Sequence, residues 1–247
     1  MLSGLVVAGA VGTVAWLESR PKSGTLPLAA GGNVLSNAVP AARTTNQNSP
    51  EQFLAWLTQQ TNATELMNNG TMLLERNRGE QAVLCYRRAL EFKAEDEEAH
   101  FNLGVAHARL GQWVQAEQSY REALKLFPEY VEAHNNLGNL LTRLKRFDEA
   151  VAEFSMALRL APENASAHNN LGRALAEQGI PAEALKHFAD AARLDTNYVE
   201  ARFNLGSAYL TLGRTNDAVA AFNETLRLRP DFAPARQALQ RLSRPPR

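Results

Sequence analysis

A row of asparagines recurs along the chain at a fixed spacing of 34 residues, and each asparagine offers the same hydrogen-bonding chemistry. The row consists of Asn68, Asn102, Asn136, Asn170 and Asn204. A side-chain amide carries both N–H donors and a carbonyl acceptor, so it can pair with a peptide backbone whatever side chains that peptide bears. We therefore expect such a row to suit an extended peptide segment.

Three of the five histidines, His100, His134 and His168, recur at the same spacing. Zinc requires its ligand atoms about 2.0–2.1 Å from one ion, whereas packed helix axes lie about 8–10 Å apart. We therefore expect no three-histidine metal site along this row. These imidazoles are predicted to pack at the junctions between successive units, and His107 and His187 are predicted to be isolated.

Motifs that carry enzymatic or cofactor chemistry are missing from the sequence. It contains no Cys-x-x-Cys pair, haem-attachment motif, phosphate-binding loop or Gly-x-Ser-x-Gly elbow. Cys85 is the only cysteine, so no disulfide can form within the chain, and we expect the thiol to be buried. We predict a non-enzymatic protein with no cofactor, no metal and no small-molecule substrate.

The asparagines belong to a longer pattern that defines the elements around them. In the last four units each asparagine precedes Leu-Gly, and in all five units an alanine and then an aromatic residue follow the glycine by 12 and 16 residues. Apolar and small residues at intervals of three and four indicate helices. Each unit is therefore predicted to contain two short amphipathic helices whose small residues permit close approach. The aromatic residue is predicted to fill the space between one unit and the next.

This pattern resembles the tetratricopeptide repeat family. The resemblance covers residues 63–232, as units 63–96, 97–130, 131–164, 165–198 and 199–232, with positions counted from the first residue of each unit. Position four, usually aromatic in the family, is histidine in the three central units, and their His-Asn-Asn-Leu-Gly form is similar to superhelical arrays such as the peptide-binding part of O-linked N-acetylglucosamine transferases. The resemblance implies an all-α fold, a right-handed superhelical α-solenoid of five helix-turn-helix units.

The resemblance also implies which residues contact a partner, because the first helices of such units line the concave side. Positions two, five, six, nine, twelve and thirteen supply the contacts in the family. The predicted partner-binding residues are the asparagine row together with Asn135, Asn169, Asn139, Phe101, Phe203, Arg109, Arg143 and Arg173. An asparagine at position six also belongs to the general family pattern, so bonding to neighbouring turns within the array stays an alternative.

Short helices are predicted on both sides of the repeats. Ser49–Gln52 has the form of a capping box with proline at the first helical position, which predicts a helix over 50–62. Its Phe53 and Trp56 share one face, which would cap the array or dock on a partner, and capping is favoured because an exposed apolar stripe is costly. Residues 233–243 are predicted to form a C-terminal capping helix.

Residues 1–17 carry no charged side chain and consist mostly of Leu, Val, Ala and Gly. Their length is at the lower limit for a helix that spans a bilayer, and Gly4, Ala8 and Gly12 follow the small-residue spacing of packed membrane helices. We predict a single-pass membrane anchor. A cleaved signal peptide is the alternative, which is weakened by the absence of a basic stretch before the apolar run.

The segment 18–49 is rich in Ser, Thr, Asn, Gly, Ala and Pro and lacks periodicity, which predicts a flexible linker. Arg20 and Lys22 follow the apolar run, so the positive-inside rule places the repeats in the cytoplasm. An extracytoplasmic array is the alternative to that orientation.

The 26 basic and 26 acidic side chains balance to a formal net charge of zero, which gives no support to a nucleic-acid partner. We predict a membrane-tethered scaffold or adaptor that binds a protein partner in its groove, either an extended peptide segment or a subunit of a membrane complex. In this role it helps to assemble or stabilise that complex. The alternative function is a soluble exported adaptor or chaperone whose first segment has been cleaved.

Overall fold

The computed structural model describes residues 49–243, and this part of the chain contains helices and no strand. The twelve helices of the described residues are α1 Pro50–Gln59, α2 Ala63–Glu75, α3 Gly79–Phe92, α4 Glu97–Arg109, α5 Trp113–Leu126, α6 Val131–Arg143, α7 Phe147–Leu160, α8 Ala165–Glu177, α9 Pro181–Leu194, α10 Val199–Thr211, α11 Thr215–Leu228 and α12 Ala233–Leu242. The predicted all-α class is therefore confirmed. Helices α2 to α11 form five helix-turn-helix pairs, one in each 34-residue unit.

Several helices begin at polar side chains that bond the free N–H groups of the first turn. Ser49 accepts a hydrogen bond from the Gln52 N–H at 3.2 Å, as the capping pattern predicts. Asn62, Asp96 and Asn164 cap α2, α4 and α8 in the same way. Such a cap contributes about 1 kcal/mol to helix stability, so these residues define where the units begin.

The turn between the two helices of each unit passes through one residue with a left-handed backbone. Gly111, Gly179 and Gly213 have φ values of 73°, 80° and 73°, whereas Asn77 and Lys145 occupy the same turn with φ values of 59° and 61°. This conformation is common at helix C-termini because it satisfies the last carbonyl groups. Glycine adopts it without steric cost and asparagine tolerates it, but lysine is strained there.

Within each unit the glycine at position eight of the first helix packs directly against the aromatic ring of the second helix. A Cβ atom on Gly104 would lie 2.7 Å from the Tyr120 ring, and one on Gly138 would lie 2.7 Å from the Phe154 ring. The same contact recurs in the other three units. The sequence pattern predicts that the aromatic residue lies between units, but its ring first fills the space that glycine leaves inside its own unit.

The described residues divide into two compact units, residues 49–162 with α1 to α7 and residues 163–243 with α8 to α12. In the first, Phe53 and Leu57 of α1 are buried in the same apolar cluster as Leu66 of α2. In the second, an apolar cluster joins α10, α11 and the final helix, and it contains Val199, Phe203, Ala218, Phe222, Phe232 and Ala235. Helices therefore flank the repeats on both sides and bury apolar surface against them.

No helix within residues 49–243 combines the length and the apolar character needed to cross a bilayer. The predicted anchor at 1–17, with Gly4, Ala8 and Gly12, lies outside the described residues, and so does the linker apart from its last residue.

Replacing Lys145 with glycine should stabilise the protein by about 0.5–1 kcal/mol, because a left-handed backbone costs a residue with a Cβ about 1–2 kcal/mol and glycine recovers most of it. Urea unfolding followed by circular dichroism measures the change. The matched control is Gly179→Ala, where the added Cβ meets no atom within 4 Å, so only the backbone strain acts and stability should fall. A Lys145→Gly variant that is less stable than the parent would contradict the assignment.

Replacing Gly138 with alanine should destabilise the protein by about 1–3 kcal/mol, because the Phe154 ring is fully buried and has no room to withdraw from the new methyl group. The midpoint of urea unfolding reports the loss. A second change, Phe154→Leu, should recover part of it in the double variant by making space. Additive losses in the double variant would show that the two side chains do not compete for the same volume.

Candidate functional site

The contact between glycine and the aromatic ring fixes which way the first helix of each unit is turned. Successive residues of an α-helix are rotated by about 100°. With position eight facing the second helix, position six points about 160° away from it and position thirteen about 140° away, whereas position five lies only about 60° away. The asparagine row therefore faces away from the second helices, and position five faces partly towards them.

Burial divides the asparagine row. Asn68 is exposed and Asn102 and Asn136 are half-buried, whereas Asn170 and Asn204 are 1% and 0% exposed. Among the described residues the side-chain amides of Asn68, Asn102 and Asn136 form no hydrogen bond. These three amides, on α2, α4 and α6 of the first compact unit, keep their donors and acceptors available for a ligand.

In the second compact unit the amides bond to each other. Asn204 Nδ2 donates to Asn169 Oδ1 at 3.0 Å, and Asn169 Nδ2 donates to the hydroxyl oxygen of Tyr198 at 3.3 Å. Asn169 is fully buried. This is the internal bonding that the sequence left open as an alternative, and it links α8 to α10 within the protein.

Position five is covered in some units by the residue at position 34 of the same unit. Tyr130 stacks on Phe101 with ring centroids 4.8 Å apart, and Tyr198 accepts the hydrogen bond from Asn169. Phe232 packs against Phe203 at 5.4 Å in the last unit, where Phe203 is a core residue with 5% of its surface exposed.

In the first and third units position 34 is Asp96 or Asn164, and both of these residues cap the next helix instead. Position five is then Met67 or Asn135, and each is half-buried. Asn139, one turn beyond Asn135 on α6, is also half-buried, and its amide forms no hydrogen bond within the described residues. The α6 face consequently presents the largest set of accessible amides.

The two arginines at position thirteen are held in place by the preceding unit. Arg109 Nη1 donates to the Leu74 carbonyl at 3.0 Å, and the guanidinium of Arg143 lies 4.6 Å from the centroid of the Trp113 ring. Both side chains remain exposed, so they place fixed positive charge beside the accessible asparagines. Arg173 is half-buried on α8 in the second compact unit.

The position-four histidines join successive units, as predicted for His100 and His134. His100 Nε2 donates to the Ala94 carbonyl at 3.0 Å. His134 Nε2 donates to the Pro128 carbonyl at 2.9 Å, and its Nδ1 donates to Glu153 Oε2 at 2.6 Å. Burial alone would lower the pKa of His134, but the Glu153 carboxylate and the Pro128 carbonyl outweigh it and raise the pKa above its usual value.

The prediction that His187 is isolated is wrong, because its Nδ1 lies 3.1 Å from Nδ1 of His168. Burial and then the neighbouring His168 lower the pKa of His187. The two residues occupy positions 4 and 23 of the fourth unit, the same positions as His134 and Glu153 in the third. That shared spacing of 19 residues is the sequence signal for the pair, but it becomes visible only once the two helices are known to pack side by side.

Reactive chemistry at the lone cysteine is not favoured by its surroundings. Cys85 is fully buried in α3, and burial raises the pKa of its thiol to about 12. A thiol with so high a pKa is inert as a nucleophile at neutral pH. The expectation that it is buried is confirmed.

Sequence comparisons agree with this architecture. A model described as a tetratricopeptide repeat matches residues 110–165 and 146–199, a second matches residues 70–111 and a third matches residues 175–242. Together the matches run without a gap from residue 70 to residue 242. The chain belongs to the tetratricopeptide repeat family. No curated relative matches this repeat protein.

Solved structures of tetratricopeptide repeat proteins share the fold. YrrB, described as having an unusual peptide-binding site, is 23% identical with a TM-score of 0.62, over 76% of this chain and 97% of its own. A MamA fragment from Desulfovibrio magneticus RS-1 is 22% identical with a TM-score of 0.64, over 69% and 96%. PilF from Pseudomonas aeruginosa is 23% identical with a TM-score of 0.62, over 73% and 91%.

The His134–Glu153 pair should make stability depend on pH. Because the folded pKa of His134 is raised, its contribution is fully present below the unfolded pKa of about 6.5 and is lost as the pH rises through the folded pKa. Glu153→Gln should therefore cost about 1.5 kcal/mol at pH 5.5, the scale of a hydrogen bond to a charged group, and much less at pH 8.5. Urea unfolding at both values measures the difference.

Glu149→Gln on the same helix is the control for this experiment. Glu149 pairs with Arg146, which stays charged at both pH values, so its loss should cost the same at each. Equal costs for Glu153→Gln at pH 5.5 and pH 8.5 would contradict a charged His134.

Proposed function

We propose that this tetratricopeptide repeat protein is a non-enzymatic scaffold that binds an extended segment of a partner protein along the first helices of its repeats. In the superhelical form that the family resemblance implies, this surface is the concave groove. The single observation that carries the proposal is the set of accessible amides on α2, α4 and α6 that form no hydrogen bond within the described residues.

The spacing of these amides suits an extended backbone. The first helices α2, α4 and α6 are sequential neighbours in the first compact unit, and packed helix axes lie about 8–10 Å apart. An extended peptide rises about 3.3 Å per residue. A bound segment would therefore meet one asparagine about every three residues, and a segment of about seven residues would reach Asn68, Asn102 and Asn136 together.

The surroundings of the row suggest the character of the segment. The exposed guanidinium groups of Arg109 and Arg143 are fixed by contacts to the preceding unit, so they carry positive charge at little further entropic cost. Phe101 is half-buried beneath Tyr130 and offers apolar surface beside Asn102. A segment that combines acidic side chains with an apolar one fits this surface best.

The burial pattern narrows the predicted site. Asn169, Asn204 and Phe203 are engaged in the interior of the second compact unit, so we assign no direct contact with the partner to them. The proposal rests instead on α2, α4 and α6.

The membrane-tethered role is part of the proposal and is supported by the apolar run of residues 1–17 and the polar segment that follows it. In this role the array binds a subunit of a membrane complex from the cytoplasmic side, the orientation that Arg20 and Lys22 favour. Sequencing the amino terminus of the mature protein and fractionating membranes separate this role from a cleaved, exported adaptor. A processed amino terminus in the soluble fraction would favour the adaptor.

The double variant Asn102→Ala/Asn136→Ala should weaken partner binding about 5-fold to 150-fold, because two hydrogen-bonding amides contribute about 0.5–1.5 kcal/mol each. Capture from a lysate on immobilised protein identifies the partner, and titration calorimetry with a peptide of its bound segment measures the affinity. Gln115→Ala/Gln118→Ala is the matched control, since it removes two exposed amides from the second helix α5. Equal losses in the two double variants would place the binding surface elsewhere.

A further inference from the structure

The fourth unit differs from the third at one pair of facing side chains. Positions 4 and 23 face each other across the helix pair, and in the third unit they form the ion pair between His134 and Glu153. In the fourth unit both positions are histidine, and their Nδ1 atoms lie 3.1 Å apart with ring centroids 5.3 Å apart. Two imidazole nitrogens thus converge where the neighbouring unit places an imidazole and a carboxylate.

A carboxylate stands beside this pair. Asp190 lies one helical turn beyond His187 on α9, and the three ligand atoms from these side chains all lie within 4.8 Å of one another. Position 26 of the third unit is Met156, so the carboxylate is a second difference between the units. The fourth unit therefore combines two imidazoles and one carboxylate, which is a ligand set that zinc uses.

The distances match a tetrahedral zinc ion. Bonds of 2.0–2.1 Å with tetrahedral angles place ligand atoms about 3.3 Å apart. The two Nδ1 atoms already lie close to that separation, so only the carboxylate oxygen has to approach, by about 1.5 Å.

The movement of Asp190 meets little resistance. Its side chain is 41% exposed and bonds to Arg193, whose side chain is 70% exposed, at 3.1 Å. An exposed ion pair of this kind contributes little to stability, so a rotamer change that exchanges Arg193 for a metal is readily accessible. The imidazoles sit on the facing helices α8 and α9 and need no backbone shift.

We propose that His168, His187 and Asp190 form a binding site for a zinc ion, with three protein ligands and a fourth position open to water or to a side chain of a bound partner. The ion bridges α8 and α9 and so clamps the two helices of the fourth unit. This site is independent of the peptide-binding proposal, because its residues lie in the second compact unit and none belongs to the surface assigned to the partner.

Equilibrium dialysis of the full-length protein against zinc chloride tests the proposal, with the protein purified on a tag that contains no histidine. The parent protein should retain one zinc ion per chain, and its unfolding temperature should rise with zinc concentration as mass action requires. Cobalt in place of zinc should give the visible absorption of a four-coordinate ion.

Two variants locate the ion and one controls for unspecific binding. His187→Gln should abolish retention, and Asp190→Asn should weaken the affinity at least tenfold, the lower end of what loss of an outer-sphere partner alone causes. His134→Gln removes the equivalent imidazole of the third unit and should leave zinc binding unchanged. Circular dichroism confirms that each variant is folded.

Three results would overturn the site. The parent protein retaining no zinc would show that the two imidazoles are joined by a hydrogen bond alone. Retention undiminished in folded His187→Gln would place the ion at other residues, and an equal loss in His134→Gln would show that the histidines bind zinc without a defined site.

Discussion

The structure depends above all on the contact between a glycine in the first helix of each unit and an aromatic ring in the second. A Cβ atom at any of these glycines would come within 2.5–2.7 Å of the ring, so the two helices lie closer than other residues would allow. The same contact fixes the rotation of the first helix about its own axis. Because that rotation directs position six away from the second helix, a packing constraint in the interior determines which side chains reach the surface.

The 34-residue period, the helix pairs and the class of fold could all be predicted from the sequence, because each follows from local spacing. Glycine, alanine and the aromatic residue recur in register, and the helices begin at capping residues such as Asn62. The burial of individual asparagines could not be predicted. Asn135 and Asn169 occupy the same position with the same neighbours in sequence, yet only Asn169 is fully buried and bonded to Tyr198. The deciding residue lies 29 positions further along the chain.

The histidines illustrate the same limit. Their repetition along the chain directed attention to the wrong neighbours, since residues 34 positions apart stand on different first helices. The relevant neighbour of each is 19 residues away, across the helix pair, where Glu153 makes His134 a cation and His187 gives His168 a second imidazole. One framework therefore produces an ion pair in one unit and a pair of metal-ligating groups in the next.

Position 34 has a consequence for how such an array changes over time. The residue there either starts the following helix, as Asp96 and Asn164 do, or shields the side chain at position five, as Tyr130, Tyr198 and Phe232 do. A single codon thus exchanges a capping hydrogen bond for buried aromatic surface, two contributions of comparable size. Each unit can gain or lose an accessible patch at nearly constant stability, so the recognition surface of the array can drift unit by unit while the scaffold stays intact.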